Sequence, residues 1–138
     1  MLFRSRDAVN EVRPGLPLSA AVVADTVTAL TVKRQPWSRW IRDGLLDRAY
    51  LMCYAPGVPA VLHQLGVMKE QLGVDRLVPG IAMYNTPLSA AAAKIKAARA
   101  LGFPLVALYS YDSLYQRPGQ WERLRSFLDA NDPAEVHP

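Results

Sequence analysis

Residues 47–84, DRAYLMCYAPGVPAVLHQLGVMKEQLGVDRLVPGIAMY, hold the pattern that decides the fold. Two apolar runs, 47–54 and 76–84, bracket a segment of different period. In that segment Val61, Leu62, Leu65, Met68 and Leu72 recur at three- and four-residue spacing, the stripe of a helix that buries one side. Pro59 suits the first turn of such a helix, where a missing N–H costs nothing, and Gly73 is a natural stop. The flanking runs are continuously apolar rather than alternating, which suits parallel strands buried on both faces. The stretch reads as one strand–helix–strand unit.

The same reading extends in both directions. Residues 16–24 (LPLSAAVVA) and 103–111 (FPLVALYSY) are two further strand-like runs at nearly even spacing. Pro36 opens a helix that carries Trp37, Trp40 and Ile41 and stops at Gly44. Ser89 reads as the N-cap of an alanine-rich helix over 90–101, which stops at Gly102. Trp121, Leu124, Phe127 and Leu128 mark a last helix, and residues 7–12 the end of a first one, broken at Pro14-Gly15. The result is an α/β chain of four consecutive β-α units with parallel strands and helices outside. This alternation fits half of a (β/α)8 barrel and an open, flavodoxin-like sheet equally. The open sheet would normally bring a fifth strand and a phosphate-type loop after the first strand, and neither is visible.

The chain's 138 residues allow one domain and fall well short of the roughly 250 of a complete (β/α)8 barrel. With 51% hydrophobic and 20% charged residues the composition is that of an ordinary globular domain, and no run of eighteen apolar residues predicts a membrane span. Sixteen Lys and Arg against twelve Asp and Glu give +4, but the basic residues are scattered. Their densest group, Lys33, Arg34, Arg39, Arg42 and Arg48, reads as a solvated helix face, and no nucleic-acid-binding motif accompanies it. Cys53 is the only cysteine and reads as a small buried hydrophobe; it permits no intrachain disulfide and no Cys-based zinc site. His63 and His137 are too far apart to predict a metal site, and no nucleotide-binding fingerprint is present, so no cofactor is expected.

Met1-Leu2-Phe3-Arg4-Ser5 is too short for a signal peptide and lacks its hydrophobic region, so none is expected here. Leu2-Phe3-Arg4-Ser5 is also what a common sequencing-adapter stretch encodes in one frame. Residues 1–5 are therefore expected to be a non-native leader, 6–128 the half barrel, and 129–138 a polar tail. On that expectation a native N-terminal portion is missing, and the compartment stays open.

Five pieces in order carry a resemblance. WSRWIRDGLLD at 37–47 leads into Leu51-Met52-Cys53-Tyr54. Val12-Arg13-Pro14 precedes Leu18-Ser19-Ala20-Ala21-Val22. Then come Val78-Pro79-Gly80-Ile81, Ala97-Ala98-Arg99-Ala100-Leu101-Gly102, and Leu108-Tyr109-Ser110-Tyr111-Asp112-Ser113-Leu114. Together they resemble the bacterial family-ten-like glycosyl hydrolases, in which a Trp-rich helix passes through Gly-Leu-x-Asp into a strand ending Pro-Met-Asn-Tyr. The resemblance implies the C-terminal half of a TIM-barrel glycosidase, strands five to eight, from a parent that acts on cell-wall or other glycans and is often exported. Leu51 and Cys53 depart from it, standing where the family carries Pro and Asn. The first four strands, which commonly supply acidic catalytic residues, are absent.

Glycoside hydrolysis normally needs two carboxyl groups, and in a (β/α)8 barrel the site lies at the C-terminal ends of the strands. Asp43, Asp47 and Asp75 precede their strands and belong to the opposite face, where Asp47 reads as an anchor of strand entry. Only Asp25 and Asp112 directly follow a strand, so they are the catalytic candidates; each serves equally as a helix or loop cap. Tyr54, Tyr84 and Tyr111 at strand ends can offer a sugar both a ring face and a hydroxyl, and Asn85 can donate to a sugar hydroxyl. Tyr50 and Tyr109 read as core packing. The leading expectation is a glycoside hydrolase fragment, inactive alone, that needs its missing N-terminal half or self-associates through open sheet edges. The alternatives are a non-catalytic glycan-binding or half-barrel assembly module and, more weakly, a flavodoxin-like regulatory domain.

Overall fold

A computed structural model describes residues 2–130. Helix α1 (Leu2–Val12) leads to strand β1 (Ser19–Val23), which is followed by α2 (Thr26–Thr31) and α3 (Trp37–Arg42). Then come β2 (Arg48–Cys53), α4 (Val58–Leu72), β3 (Leu77–Ala82) and α5 (Leu88–Ala100). The chain closes with β4 (Ala107–Tyr109), α6 (Tyr111–Tyr115) and α7 (Gln120–Asp129). The four strands form one parallel sheet in the order β1-β2-β3-β4, with Ala21 opposite Tyr50, Met52 opposite Gly80, and Ala82 opposite Tyr109. A flavodoxin-like sheet reverses its strand order beside the first strand. Here spatial order equals chain order, as in a (β/α)8 barrel, and the fold is consistent with half of one.

Alternation along the paired strands assigns their faces. Ala49, Leu51 and Cys53 of β2 are buried, with Val22 of β1 and Leu77 and Ile81 of β3 on the same side, and they join one core with Trp37, Ile41, Leu65, Ile95 and Leu124 from the helices. Ala21, Tyr50, Met52, Gly80 and Tyr109 share the opposite, concave face. The expectation of strands buried on both faces holds for β3, buried at all six positions, but not for β1 and β2. In β1 and β2 one face enters the core while the other is exposed or half-buried, so those strands alternate.

The strand entries are pinned by polar contacts. The Asp47 carboxylate accepts the Leu18 N–H at 2.6 Å and an Arg6 N–H at 2.7 Å, fastening α1 to the start of the sheet. Those bonds, the Leu18 amide first, hold its carboxyl below the usual range. Arg76 donates to the Ile41 carbonyl at 2.7 Å at the end of α3. At the open edge the Val23 N–H donates to Gln35 Oε1 at 3.3 Å, and the Val23 carbonyl accepts from Trp37 Nε1 at 2.8 Å. Trp37 is buried, and through its indole N–H it caps the end of an edge strand.

Several boundaries differ from expectation. Strand β4 is only three residues long: it begins at Ala107 rather than Phe103, and at its end Tyr111–Tyr115 turns into α6 instead of continuing the strand. Pro87, not Ser89, is the N-cap of α5, its fixed φ of −60° preparing the helix entry. Helix α2 was not foreseen; Asp25 caps it. Met1 and residues 131–138, with most of the expected tail, lie outside the described residues.

A Cβ at Gly80 would meet the Leu51 carbonyl oxygen at 2.8 Å, so only glycine lets β3 lie this close to β2. Gly80→Ala is expected to destabilise the fold by about 2 kcal/mol, read from the urea midpoint. Because Asp47 titrates below its unfolded value, its contribution is complete above about pH 4 and fades as pH falls further. Asp47→Asn should therefore lower the melting temperature at neutral pH and flatten the acid limb of stability against pH.

Candidate functional site

The C-terminal ends of the strands gather tyrosines. Tyr54 follows β2, Tyr84 lies just past β3, and Tyr109 ends β4. Tyr54 and Tyr109 stack with ring centroids 5.2 Å apart, and Tyr84 stands edge-on to both at 6.3 and 6.1 Å. Tyr84 and Tyr109 remain 57% and 53% exposed, so the cluster presents ring surface outward instead of filling a core. Tyr109, expected as core, therefore belongs to this platform. The three tyrosines line a hollow of about 530 Å³ together with Ala21, Tyr50, Met52, Gly80 and Ala107 of the concave face. Burial first, then the neighbouring Tyr109 and Tyr84, push the Tyr54 phenol above its ordinary range. It stays protonated at neutral pH, able to donate and accept.

Tyr111 lies elsewhere. It begins α6 and stacks on Tyr115 at 4.2 Å, an i,i+4 pair on an exposed helix face. Among the described residues this pair makes no ring contact with the Tyr54 cluster. Asn85 is half-buried; its Nδ2 donates to the Tyr54 carbonyl at 2.9 Å, while its buried Oδ1 has no protein partner among the described residues. That donor is engaged in holding the loop.

The two carboxylates occupy opposite edges of the sheet. Asp25, after β1, accepts the Thr28 N–H at 2.7 Å as the cap of α2. Thr28, through its side chain first and then its backbone, holds the Asp25 carboxyl below the ordinary range. An ionised, exposed carboxylate suits a hydroxyl acceptor better than a proton donor. Asp112 sits exposed in the first turn of α6, beyond β4. Three strand spacings separate the ends of β1 and β4, about 14 Å at ~4.8 Å each. Paired glycosidase carboxyls stand roughly 5–9.5 Å apart, so these two do not form such a pair across one bond.

Two features escaped sequence reading. Lys94 is fully buried on the apolar stripe of α5. Its signal was there: a lysine three residues after Ala91 and four before Ala98, where the helix wants an apolar side chain. A second hollow of about 450 Å³ lies between the β3 exit, α6 and α7, lined by Thr86, Ser89, Ser113, Gln116, Arg117 and Arg123. These residues are far apart in sequence, and no local pattern joins them. Cys53 is buried without exposure, and burial pushes its thiol up to about 12, against a small opposing effect from the Gly80 backbone.

No family model and no curated protein matches the chain. The fold is similar to a solved structure, the PgaB (BpsB) glycoside hydrolase domain from Bordetella bronchiseptica. The likeness has a TM-score of 0.68 at 16% identity and covers 94% of this chain but 41% of that one. The chain thus spans less than half the length of its neighbour, and at this identity the likeness shows the fold alone, consistent with half of a (β/α)8 barrel. Among the described residues no helix is long and apolar enough to cross a membrane.

The buried, undissociated Cys53 thiol is expected to resist DTNB in the folded chain at pH 8. One equivalent should react once guanidinium exposes it.

Proposed function

We propose that this chain is the strand-five-to-eight half of a bacterial TIM-barrel glycoside hydrolase of the family-ten-like kind. Its parent would act on a polysaccharide or cell-wall glycan and be exported. The observation that carries the reading is the tyrosine platform above an apolar hollow, at the strand ends where such barrels bind substrate. Sugar rings offer apolar C–H faces to aromatic rings and hydroxyls to phenol groups, and Tyr54, Tyr84 and Tyr109 supply both. Tyr111 extends the set of proposed contacts toward the β4 exit, while Asn85, whose amide N–H is held by the Tyr54 carbonyl, supports the platform from the loop after β3. Asp112 is the proposed acid on this half and Asp25 a proposed hydroxyl acceptor or second acid. Each needs a partner carboxylate from strands outside this chain, because the two do not serve one bond together. The chain alone is then inactive as a hydrolase.

The bare concave face and the β1 and β4 edges need cover, supplied by the remaining barrel half or by a second copy. Alone, the chain is expected to run above its monomer mass in size exclusion with light scattering; a sharp monomer with cooperative melting contradicts this. A non-catalytic glycan-binding module is the second reading. It is favoured by the same platform standing without a carboxylate pair.

Soluble peptidoglycan fragments, titrated against the chain, should perturb the tyrosine signals without being cleaved. Tyr54→Ala should weaken that binding about tenfold, equivalent to ~1.4 kcal/mol. In the parent enzyme Asp112→Asn should abolish most turnover; unchanged turnover in both Asp112→Asn and Asp25→Asn favours the binding-module reading.

A further inference from the structure

Beyond the end of β2 the ladder no longer supplies donors, and the carbonyls of Tyr54, Ala55 and Pro56 follow one another in the turn. Each receives a side chain from the next β-α unit. Asn85 Nδ2 donates to the Tyr54 carbonyl at 2.9 Å, Lys94 Nζ to the Ala55 carbonyl at 2.8 Å, and Thr86 Oγ1 to the Pro56 carbonyl at 3.4 Å. Lys94 Nζ also reaches Thr86 Oγ1 at 3.5 Å, so the lysine donates to the hydroxyl that in turn donates to Pro56. Asn85 and Thr86 directly follow Tyr84. The network therefore ties the two turns from which Tyr54 and Tyr84 rise.

Lys94 is the post beneath this rail. It lies on the buried stripe of α5 with Ala91, Ile95 and Ala98, whose small members leave room for a four-carbon stem to run toward the strand ends. Its side chain is wholly buried and takes part in neither of the two salt bridges among the described residues. Burial pulls its ammonium below the usual lysine range. A methionine there would fill the same space without that desolvation, so packing alone does not account for a lysine. Its donors do, because they satisfy the half-buried Ala55 carbonyl past the end of the strand and reach Thr86 beside it.

We propose that Lys94 is a positioning residue for the tyrosine platform: by holding the Ala55 carbonyl and Thr86 from below, it sets the approach of Tyr54 and Tyr84 to Tyr109. Its effect on ligand rests on the glycan reading above; its effect on the rings does not. Lys94→Met keeps the stem and removes the donors. Thr86→Val keeps the shape and removes only the hydroxyl link.

The test is ¹³C NMR of ring-labelled tyrosine in the full chain, with soluble peptidoglycan fragments as the probe. In Lys94→Met the resonances of Tyr54, Tyr84 and Tyr109 should move while those of Tyr111 and Tyr115 stay, and fragment binding should weaken about fivefold. Thr86→Val should move Tyr54 and Tyr84 in the same direction by less. Unmoved platform resonances in a folded Lys94→Met variant overturn the proposal. If that variant does not fold, unmoved resonances in Thr86→Val overturn it instead. Platform shifts in a chain that binds no fragment uphold the positioning role and overturn the glycan reading.

Discussion

A right-handed crossover between adjacent parallel strands lays its helix on one particular side of the sheet. With spatial order equal to chain order, every crossover repeats that choice, so the connecting helices collect on one face and, among the described residues, the other face of β1 and β2 stays open. The rest of the molecule depends on this. The helix-covered side holds the core from Val22 to Leu124, and the bare side presents Ala21, Tyr50 and Met52. The same constraint puts all strand ends on one rim, where the tyrosines meet, and all strand entries on the other, where Asp47 and Arg6 fasten the sheet.

The division of labour between rims follows from what each must do. The entry rim is closed by charge: a carboxylate shared between a backbone amide and a guanidinium stabilises without moving. The exit rim is closed by carbonyl acceptors and side-chain donors, buried Lys94 and half-buried Asn85 and Thr86, while the rings of Tyr84 and Tyr109 stay partly exposed. A surface of partly exposed tyrosines over small residues suits a ligand with alternating apolar and hydroxyl surface. Carboxylates at opposite edges, Asp25 capping α2 and Asp112 in α6, suit chemistry only when another set of strands brings acids between them.

Much of the fold was legible because it is written in local pattern. The stripe from Val61 to Leu72, the stop at Gly73 and the unbroken apolar run of β3 each identify their element without outside help. The position of Asp47 ahead of its strand likewise told its face. What escaped depends on contacts distant in sequence. Thr26–Thr31 is rich in β-branched residues and forms a helix because Asp25 caps it and Ala29 buries against the core. Tyr109 reads as core from its apolar neighbours, yet it faces the side that no described element covers. Tyr111 reads as a strand end but opens a helix. Lys94 looks like one more surface lysine until the turn after β2 is seen to need its donors.

The most direct test of the account is the strand order, measured by backbone NOEs in the isotope-labelled chain. The account predicts parallel contacts of β1 with β2, β2 with β3 and β3 with β4, including Ala21 opposite Tyr50 and Ala82 opposite Tyr109. Contacts between β1 and β3, the mark of a sheet that reverses beside its first strand, would contradict it.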